Sequence, residues 1–309
     1  MLRYDNYFIP KTLKEYFELT SKVKGCRIVA GCTDVLPWAR EGRGGEVFFK
    51  NIVDVSRIKE LNIFNFGPKK IILGAATNYQ KLFLDKKIRK SLKVLPQVSV
   101  WFADDQIREL ATLGGNIVNA SPAGDGMPAL LTLNTNVTIA KFKNKKIIKE
   151  KMPLEKFVKG RNKVALKNND ILVNFEVENT DGYGACFEKV GHRRSLVIST
   201  VCVSSLVKLN NDKFQDIRVA VGGVCEVPTR LSKTEKFLKG KSIDENNIYA
   251  ASTLDLNVIK SRSRREYRKE VLQNFIIRSI LKSLGKNNVE ETIQGFDNKV
   301  KSQMESTYV

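Results

Sequence analysis

The sequence predicts an α+β fold made of more than one subdomain, and three observations point to it. With 309 residues, 42% of them hydrophobic, the chain can bury a sizeable core and divide into two or three units. Strand-like and helix-like patterns alternate irregularly along its whole length. Apolar strand patterns stand at residues 170–177, 197–208 and 217–221. This order is compatible with several α+β architectures, and periodicity alone does not choose among them.

Taken in order, Tyr7-Phe8-Ile9 ahead of Pro10 predicts a short strand and a turn. Thr12-Leu13-Lys14-Glu15 has capping-box spacing for a helix through about Lys22. Arg27-Ile28-Val29-Ala30 predicts a strand, Gly31-Cys32-Thr33-Asp34 the turn after it, and residues 36–40 a brief helix. Strands are expected over residues 51–55 and 71–77, with Thr77 capping a helix that starts near Tyr79. Residues 89–100 read as one further helix. The apolar run over residues 127–133 reads as a buried helix, and 137–142 and 147–149 as strands joined by a solvated Lys143-Asn144-Lys145-Lys146 turn. Composition shifts over residues 178–184, a subdomain boundary. Pro228-Thr229-Arg230 closes a strand and starts a helix. Residues 286–309 form a polar, lysine-rich tail.

Composition narrows the function. No apolar run is long enough to span a bilayer, and MLRYDNYFIPKT has no signal-peptide core, so a cytoplasmic protein is expected. The five cysteines lie at positions 26, 32, 186, 202 and 225, none two or three residues from another, which argues against an iron–sulfur or zinc site within this chain. His192 is the single histidine, and no metal site is expected. The net charge of +20 would mark a nucleic-acid binder if it were clustered, but the lysines are spread and no nucleic-acid motif accompanies them. A lysine-rich proteome or a face matching acidic partners explains the charge without nucleic acid.

The stretch over residues 101–140 organises the rest. It passes from Trp101-Phe102 to Thr112-Leu113-Gly114-Gly115-Asn116, and then to a second turn, Ser121-Pro122-Ala123-Gly124-Asp125-Gly126. Paired glycines remove the Cβ atoms that hold a ligand away from the backbone, and a sharp turn can present successive N–H groups to an anion. Thr112, Asn116 and Ser121 add neutral hydrogen-bonding groups, and Asp125 an acceptor for ribose or ribityl hydroxyls. The surface suits a long polyhydroxylated phosphate ligand. Ordinary turn chemistry accounts for the same residues, and the local pattern leaves both readings open. Neither GxGxxG nor GxxxxGK[ST] occurs.

The stretch resembles the flavin-binding signature of the FAD subunits and domains of molybdenum hydroxylases, the xanthine dehydrogenase and carbon monoxide dehydrogenase family. Phe102-Ala103, Gln106-Ile107-Arg108, Thr112-Leu113-Gly114-Gly115-Asn116 and Ala120-Ser121-Pro122-Ala123-Gly124-Asp125 fit its motifs in order and spacing. Val29-Ala30-Gly31-Cys32-Thr33-Asp34 resembles its first FAD loop, whose amides would bind the pyrophosphate. Cys32 stands where glycine is commoner; the family also takes Asn there, so a positive φ is expected. Further matches are Ile58-Lys59-Glu60-Leu61, Ile71 to Thr77, the strand around Leu172, Phe187-Glu188-Lys189, Gly222-Gly223-Val224 and Glu266-Tyr267-Arg268. By resemblance Leu172 lies against the flavin, and Lys189 close to the isoalloxazine, where a cation would stabilise the reduced, anionic form. Read without the family, Lys189 is equally a solvent-facing strand lysine.

The resemblance covers about residues 5–284. It implies a vanillyl-alcohol oxidase (PCMH)-type fold: FAD-binding lobes at residues 1–62 and 63–178, and an α+β domain with an antiparallel sheet at 179–285. It implies an FAD-dependent electron-transfer subunit of a xanthine dehydrogenase-like complex. The expected partners are a molybdopterin-binding large subunit and a 2Fe-2S small subunit in a dimer of heterotrimers, with NAD or another molecule as acceptor. No protein nucleophile or acid–base pair is expected. A stand-alone flavin oxidoreductase of the same fold, or a basic nucleic-acid-binding protein without flavin, are the competing readings.

Overall fold

Three sheets of different character carry the chain, which the computed structural model describes over residues 2–42, 47–193, 196–260 and 263–285. The expected tail at 286–309 lies outside the described residues. The first sheet is parallel. Its strands β1 (Arg3–Phe8), β2 (Cys26–Val29) and β3 (Phe48–Asp54) run in the order β1-β3-β2. Parallel neighbours need crossovers; helix α1 (Leu13–Lys22) and helix α2 (Val35–Glu41) lie in these connections. The α1 cap follows the predicted spacing, with Thr12 Oγ1 accepting from Glu15 N at 3.2 Å. Glu15 reaches back to Lys11 N at 2.7 Å, one residue before the cap.

The second sheet is antiparallel, ordered β4-β5-β10-β6-β7. It begins with β4 (Phe64–Phe66) and β5 (Lys70–Gly74). A series of short helices follows: α3 (Tyr79–Leu84), α4 (Lys86–Ser91), α5 (Val94–Trp101), α6 (Asp105–Leu110), α7 (Leu113–Asn119) and α8 (Gly126–Thr132). Four of them start on a side-chain cap, Asn78, Asp85, Asp104 or Thr112, which satisfies otherwise orphaned N–H groups. The chain then completes the sheet through the hairpin of β6 (Asn136–Lys143) and β7 (Lys146–Pro153). It continues through helix α9 (Leu154–Phe157), the small pair β8 (Val158–Gly160) and β9 (Lys163–Val164), and strand β10 (Ile171–Glu178).

Three local expectations change here. Asn78, not Thr77, caps α3, accepting from Lys81 N at 2.8 Å, while Thr77 is buried and its carbonyl accepts from Leu113 N. The single helix expected over 89–100 is two helices, α4 and α5. A continuous helix would place Pro96 against the carbonyl of Leu92; restarting at Val94 puts the proline in a first turn, where no N–H is needed. The Gly114-Gly115 pair sits in the first turn of α7 rather than in a loop, because the Thr112 cap starts a helix there.

The third sheet is an antiparallel meander of β11 (Gly184–Val190), β12 (Val201–Asn210), β13 (Lys213–Gly222) and β14 (Thr229–Arg230). Helices α10 (Ser232–Leu238), α11 (Glu245–Thr253) and α12 (Arg265–Ser283) follow; α10 starts just after Arg230 as expected, while α11 carries few apolar residues and escapes the sequence pattern. Strand β12 starts at Val201, later than residue 197, after Leu196 takes φ 50°. Its alternation serves two cores. Cys202 and Leu206 join the core of the second sheet, while Val201, Val203 and Val207 pack with Leu272, Ile276 and Ile280 of α12. Every residue of α8 is buried, and Thr132 at its end meets Ser204 of β12, Oγ1 to Oγ, at 3.2 Å. Arg218 of β13 adds polar anchors, donating to Thr132 O at 3.1 Å and pairing with Glu178 at 2.6 Å.

Burial raises the thiol pKa of Cys186 to about 12, and that of Cys202 further still, the nearby Glu188 and Asp125 carboxylates adding to the effect. Iodoacetamide at pH 8 is therefore expected to spare both in the folded chain and label both in urea. A raised folded-state pKa favours the protonated form. Its stabilising contribution is thus complete below the free thiol value of about 8.5 and declines as pH rises toward 12. Urea midpoints measured from pH 7 to pH 10 should fall accordingly.

Candidate functional site

The loop leaving β2 is located by a backbone contact. A Cβ on Gly31 would lie 1.8 Å from Leu110 O and 3.1 Å from Ala111 N, so only glycine lets the loop rest on the α6–α7 junction. Cys32 adopts φ 56°, the left-handed conformation expected at that position. Its carbonyl accepts from Leu36 N at 3.0 Å, and that of Asp34 from Trp38 N at 3.1 Å, which leads the loop into α2. Asp34 Oδ2 accepts from Asn119 Nδ2 at 2.8 Å, a contact across 85 residues. The loop therefore touches the residues before α7 and the end of α7. Val29 is buried beneath it, while Ala30, Thr33 and Asp34 are partly or well exposed. Burial raises the Cys32 thiol pKa; Asp54 adds to the shift and Arg27 opposes it.

On the other side, Thr112 Oγ1 accepts from Gly115 N at 2.9 Å. Gly114 packs on the main chain, its N–H bonded to Ala75 O at 2.8 Å and its missing Cβ leaving room for that carbonyl. Gly115 is different. It is exposed, and a Cβ there would meet Thr112 Oγ1, at 2.9 Å, as its sole neighbour within 4 Å among the described residues. The bare backbone of Gly115 thus faces open space beside the first loop. Asn116 Oδ1 accepts from the hydroxyl of Tyr79 at 3.1 Å.

The second turn is closed by Gly124 N to Ser121 O at 2.9 Å, and it is tied to the third sheet by Gly223 N to Pro122 O at 2.8 Å. Asp125 at its end is buried and forms an ion pair with Lys189 of β11, side chains 7% and 1% exposed. Ser199 Oγ donates to the other Asp125 oxygen at 2.5 Å, and Lys189 Nζ also donates to Trp101 O at 3.2 Å. Burial pushes the Asp125 carboxyl pKa up, against the opposing pull of the Lys189 ammonium and the Ser199 hydroxyl. The solvent-facing reading of Lys189 does not hold in the fold. Phe102 stacks on Tyr79 with centroids 3.8 Å apart and planes 4° apart, and Ala103 turns the chain with φ 48°.

One chain of contacts joins the first loop, α7, the second turn, Lys189 and the Trp101-Phe102 segment. Leu172 stands apart in the core of the second sheet, where β10 shifts register against β6 between Leu172 and Asn174. Sequence reasoning passed over Tyr79, Ser199 and Asn119. Their roles arise from contacts 37, 74 and 85 residues away, and no local signal marks them. The arrangement offers open glycine backbone for a phosphate group, a buried acceptor for hydroxyls, a fixed cation and a half-exposed aromatic ring. These donors fit a dinucleotide of the flavin type. Among the described residues no cluster of three or more His, Cys, Asp or Glu is placed to hold a metal, and no helix is long and apolar enough to cross a membrane.

Comparison with known proteins agrees with this chemistry. The family described as the FAD binding domain in molybdopterin dehydrogenase matches residues 2–178, and the CO dehydrogenase flavoprotein C-terminal domain matches residues 186–283. The glyceraldehyde dehydrogenase medium chain of Sulfolobus acidocaldarius is 28% identical, over 72% of this chain and 79% of its own. The xanthine dehydrogenase FAD-binding subunit of Escherichia coli O157:H7 is 25% identical, over 89% of this chain and 94% of its own. Among solved structures, the carbon monoxide dehydrogenase of Hydrogenophaga pseudoflava superposes with a TM-score of 0.84 at 20% identity, covering 93% of this chain and 99% of that one. Its likeness shows the fold.

Removing one partner of the buried pair leaves the other charge without compensation. Lys189→Met is expected to lower stability by about 3–5 kcal/mol near neutral pH, read from urea unfolding, with Lys189→Met/Asp125→Asn recovering part of the loss. The lone carboxyl is tolerated when protonated, so the deficit of the single variant should shrink as pH falls from 8 to 5. A deficit independent of pH would show that Asp125 is not the charge responsible.

Proposed function

The chain belongs to the family of FAD-binding domains of molybdopterin dehydrogenases, and from that premise we propose that it relays electrons as the FAD-carrying subunit of a multi-subunit molybdenum hydroxylase. One observation carries the reading: the loop over residues 30–34 rests on both ends of the distant α7 segment, Gly31 on Leu110 and Asp34 on Asn119, and within that segment Gly115 presents open backbone. Residues 1–62 and 63–178 form the two lobes that hold the cofactor, and residues 179–285 the domain that supplies Lys189.

Bound FAD would supply the redox chemistry, being able to exchange electrons singly or as a pair. The chain's own residues do the holding. Amides of Gly31, Cys32, Thr33 and Asp34 donate to the pyrophosphate, with Val29 and Ala30 leading into the loop; Gly114 seats α7 on Ala75, and Gly115, without a Cβ, lets the ligand approach that helix. Thr112, Asn116, Ser121 and Asp125 meet hydroxyls or phosphate oxygens, Phe102 and Ala103 supply apolar contact, and Leu172 stays in the core of the second sheet. Lys189 keeps a positive charge, fixed by Asp125 and the Trp101 carbonyl, beside the redox group, which favours added negative charge there. In this role a small partner subunit with 2Fe-2S clusters and a molybdopterin-binding large subunit would supply the electrons, and NAD or another molecule would be the acceptor. The assembly is a cytoplasmic dimer of heterotrimers.

The first test is the visible spectrum of the purified chain, with the cofactor released by heat and identified; about one FAD per chain is expected. A colourless chain that also fails to take up added FAD would sink the reading. Gly115→Val is expected to abolish FAD retention while the chain stays folded by circular dichroism. The added side chain crowds the Thr112 cap, at a cost of about 1 kcal/mol, and otherwise fills only the open face.

A further inference from the structure

Tyr79 opens α3 and is fully buried, yet several of the segments assigned to the cofactor converge on it. Its ring lies flat against Phe102, 3.8 Å between centroids. Its hydroxyl donates to Asn116 Oδ1 at 3.1 Å. Gly126, next to Asp125, approaches so closely that a Cβ there would sit 2.1 Å from the same hydroxyl and 2.8 Å from Asn116 Oδ1. The Tyr79 N–H bonds to the carbonyl of Ala111, just ahead of Thr112, at 3.1 Å. We propose that Tyr79 is a positioning residue of the FAD site, setting Phe102, Asn116 and the turn at Asp125 in their mutual geometry before the ligand arrives; this rests on the function proposed above.

The chemistry favours this over simple core filling. A phenylalanine or leucine would fill an apolar core without burying a hydroxyl that must then find a partner. Here the hydroxyl finds one on α7. Burial, with the Asp125 carboxylate adding to it, holds the phenol well above its usual pKa, so it remains a donor throughout the working pH range. With Oδ1 accepting from Tyr79, Asn116 keeps Nδ2 as a donor, which suits a phosphate or hydroxyl oxygen. Phe102, half-exposed, is supported on one face by the Tyr79 ring, which fixes the plane in which it can meet a ligand. Such pre-organisation raises affinity by removing ordering costs from the binding step.

The test titrates flavin-free full-length chain with FAD, following quenching of flavin fluorescence well below the melting temperature. Wild type is compared with Tyr79→Phe, Tyr79→Leu and Ser205→Ala. Ser205 is a matched control, because its buried hydroxyl bonds Ser279 O at 3.0 Å and Ser283 Oγ at 2.8 Å, on the α12 side of the third sheet. Tyr79→Phe is expected to raise the Kd for FAD about tenfold with a melting temperature no lower than that of Ser205→Ala, whose Kd stays at the wild-type value. Tyr79→Leu, which also removes support for Phe102, should weaken binding further. A wild-type Kd for Tyr79→Phe, or equal weakening by Ser205→Ala, would overturn the positioning role alone. Failure of wild type to bind FAD would overturn the flavin reading and this inference together.

Discussion

The ion pair between Asp125 and Lys189 is the interaction on which the candidate site depends. Taking both charges out of water costs several kcal/mol per ion, repaid only where geometry and further hydrogen bonds are good. Both conditions are met: Asp125 also accepts from Ser199, and Lys189 also donates to the Trp101 carbonyl. The pair consequently ties the end of α5, the turn before α8, strand β11 and the Ser199 segment into one unit. A ligand in this corner meets a wall whose charges are already oriented, so little reorganisation accompanies binding or a change in the ligand's charge.

Around that corner the main chain sets positions more than side chains do. Gly31 lies on Leu110, Gly114 on Ala75, and Gly184 at the start of β11 so close to Ser283 that a Cβ would come within 1.7 Å of its carbonyl. Contacts between backbones leave no rotamer freedom to absorb error. Helix α8, buried on all sides between the second and third sheets, extends the same rigidity to the turn that carries Asp125. Gly115 alone of these glycines opens onto space, which separates a glycine kept for packing from one kept for access.

The sequence was most legible where a signal is local. The Thr12 cap, the turn at Asn144 and Lys145 with its two positive φ angles, and the buried run that became α8 each follow from neighbours a few residues away. Misreadings arose where two local signals competed. Thr77 was expected to cap α3, but Asn78 does so, and Thr77 is buried with its carbonyl holding Leu113 N. The glycine pair looked like a turn until the Thr112 cap made it the opening of a helix.

Motif order by itself determined the family and its fold, because ordered motifs with their spacing survive in a linear string even when identity to relatives is near a quarter. The glycines at residues 31, 114 and 115 were visible in the string, but not that two of them pack on main chain and one opens onto space. Only the tertiary structure decided that Lys189 is buried instead of solvated, that Tyr79 stands behind both Phe102 and Asn116, and that Ser199 completes the Asp125 partner set. The physical reason is range. A pair joined across 64 or 74 residues is selected by the packing of whole sheets, and neither partner carries a mark of it among its sequence neighbours.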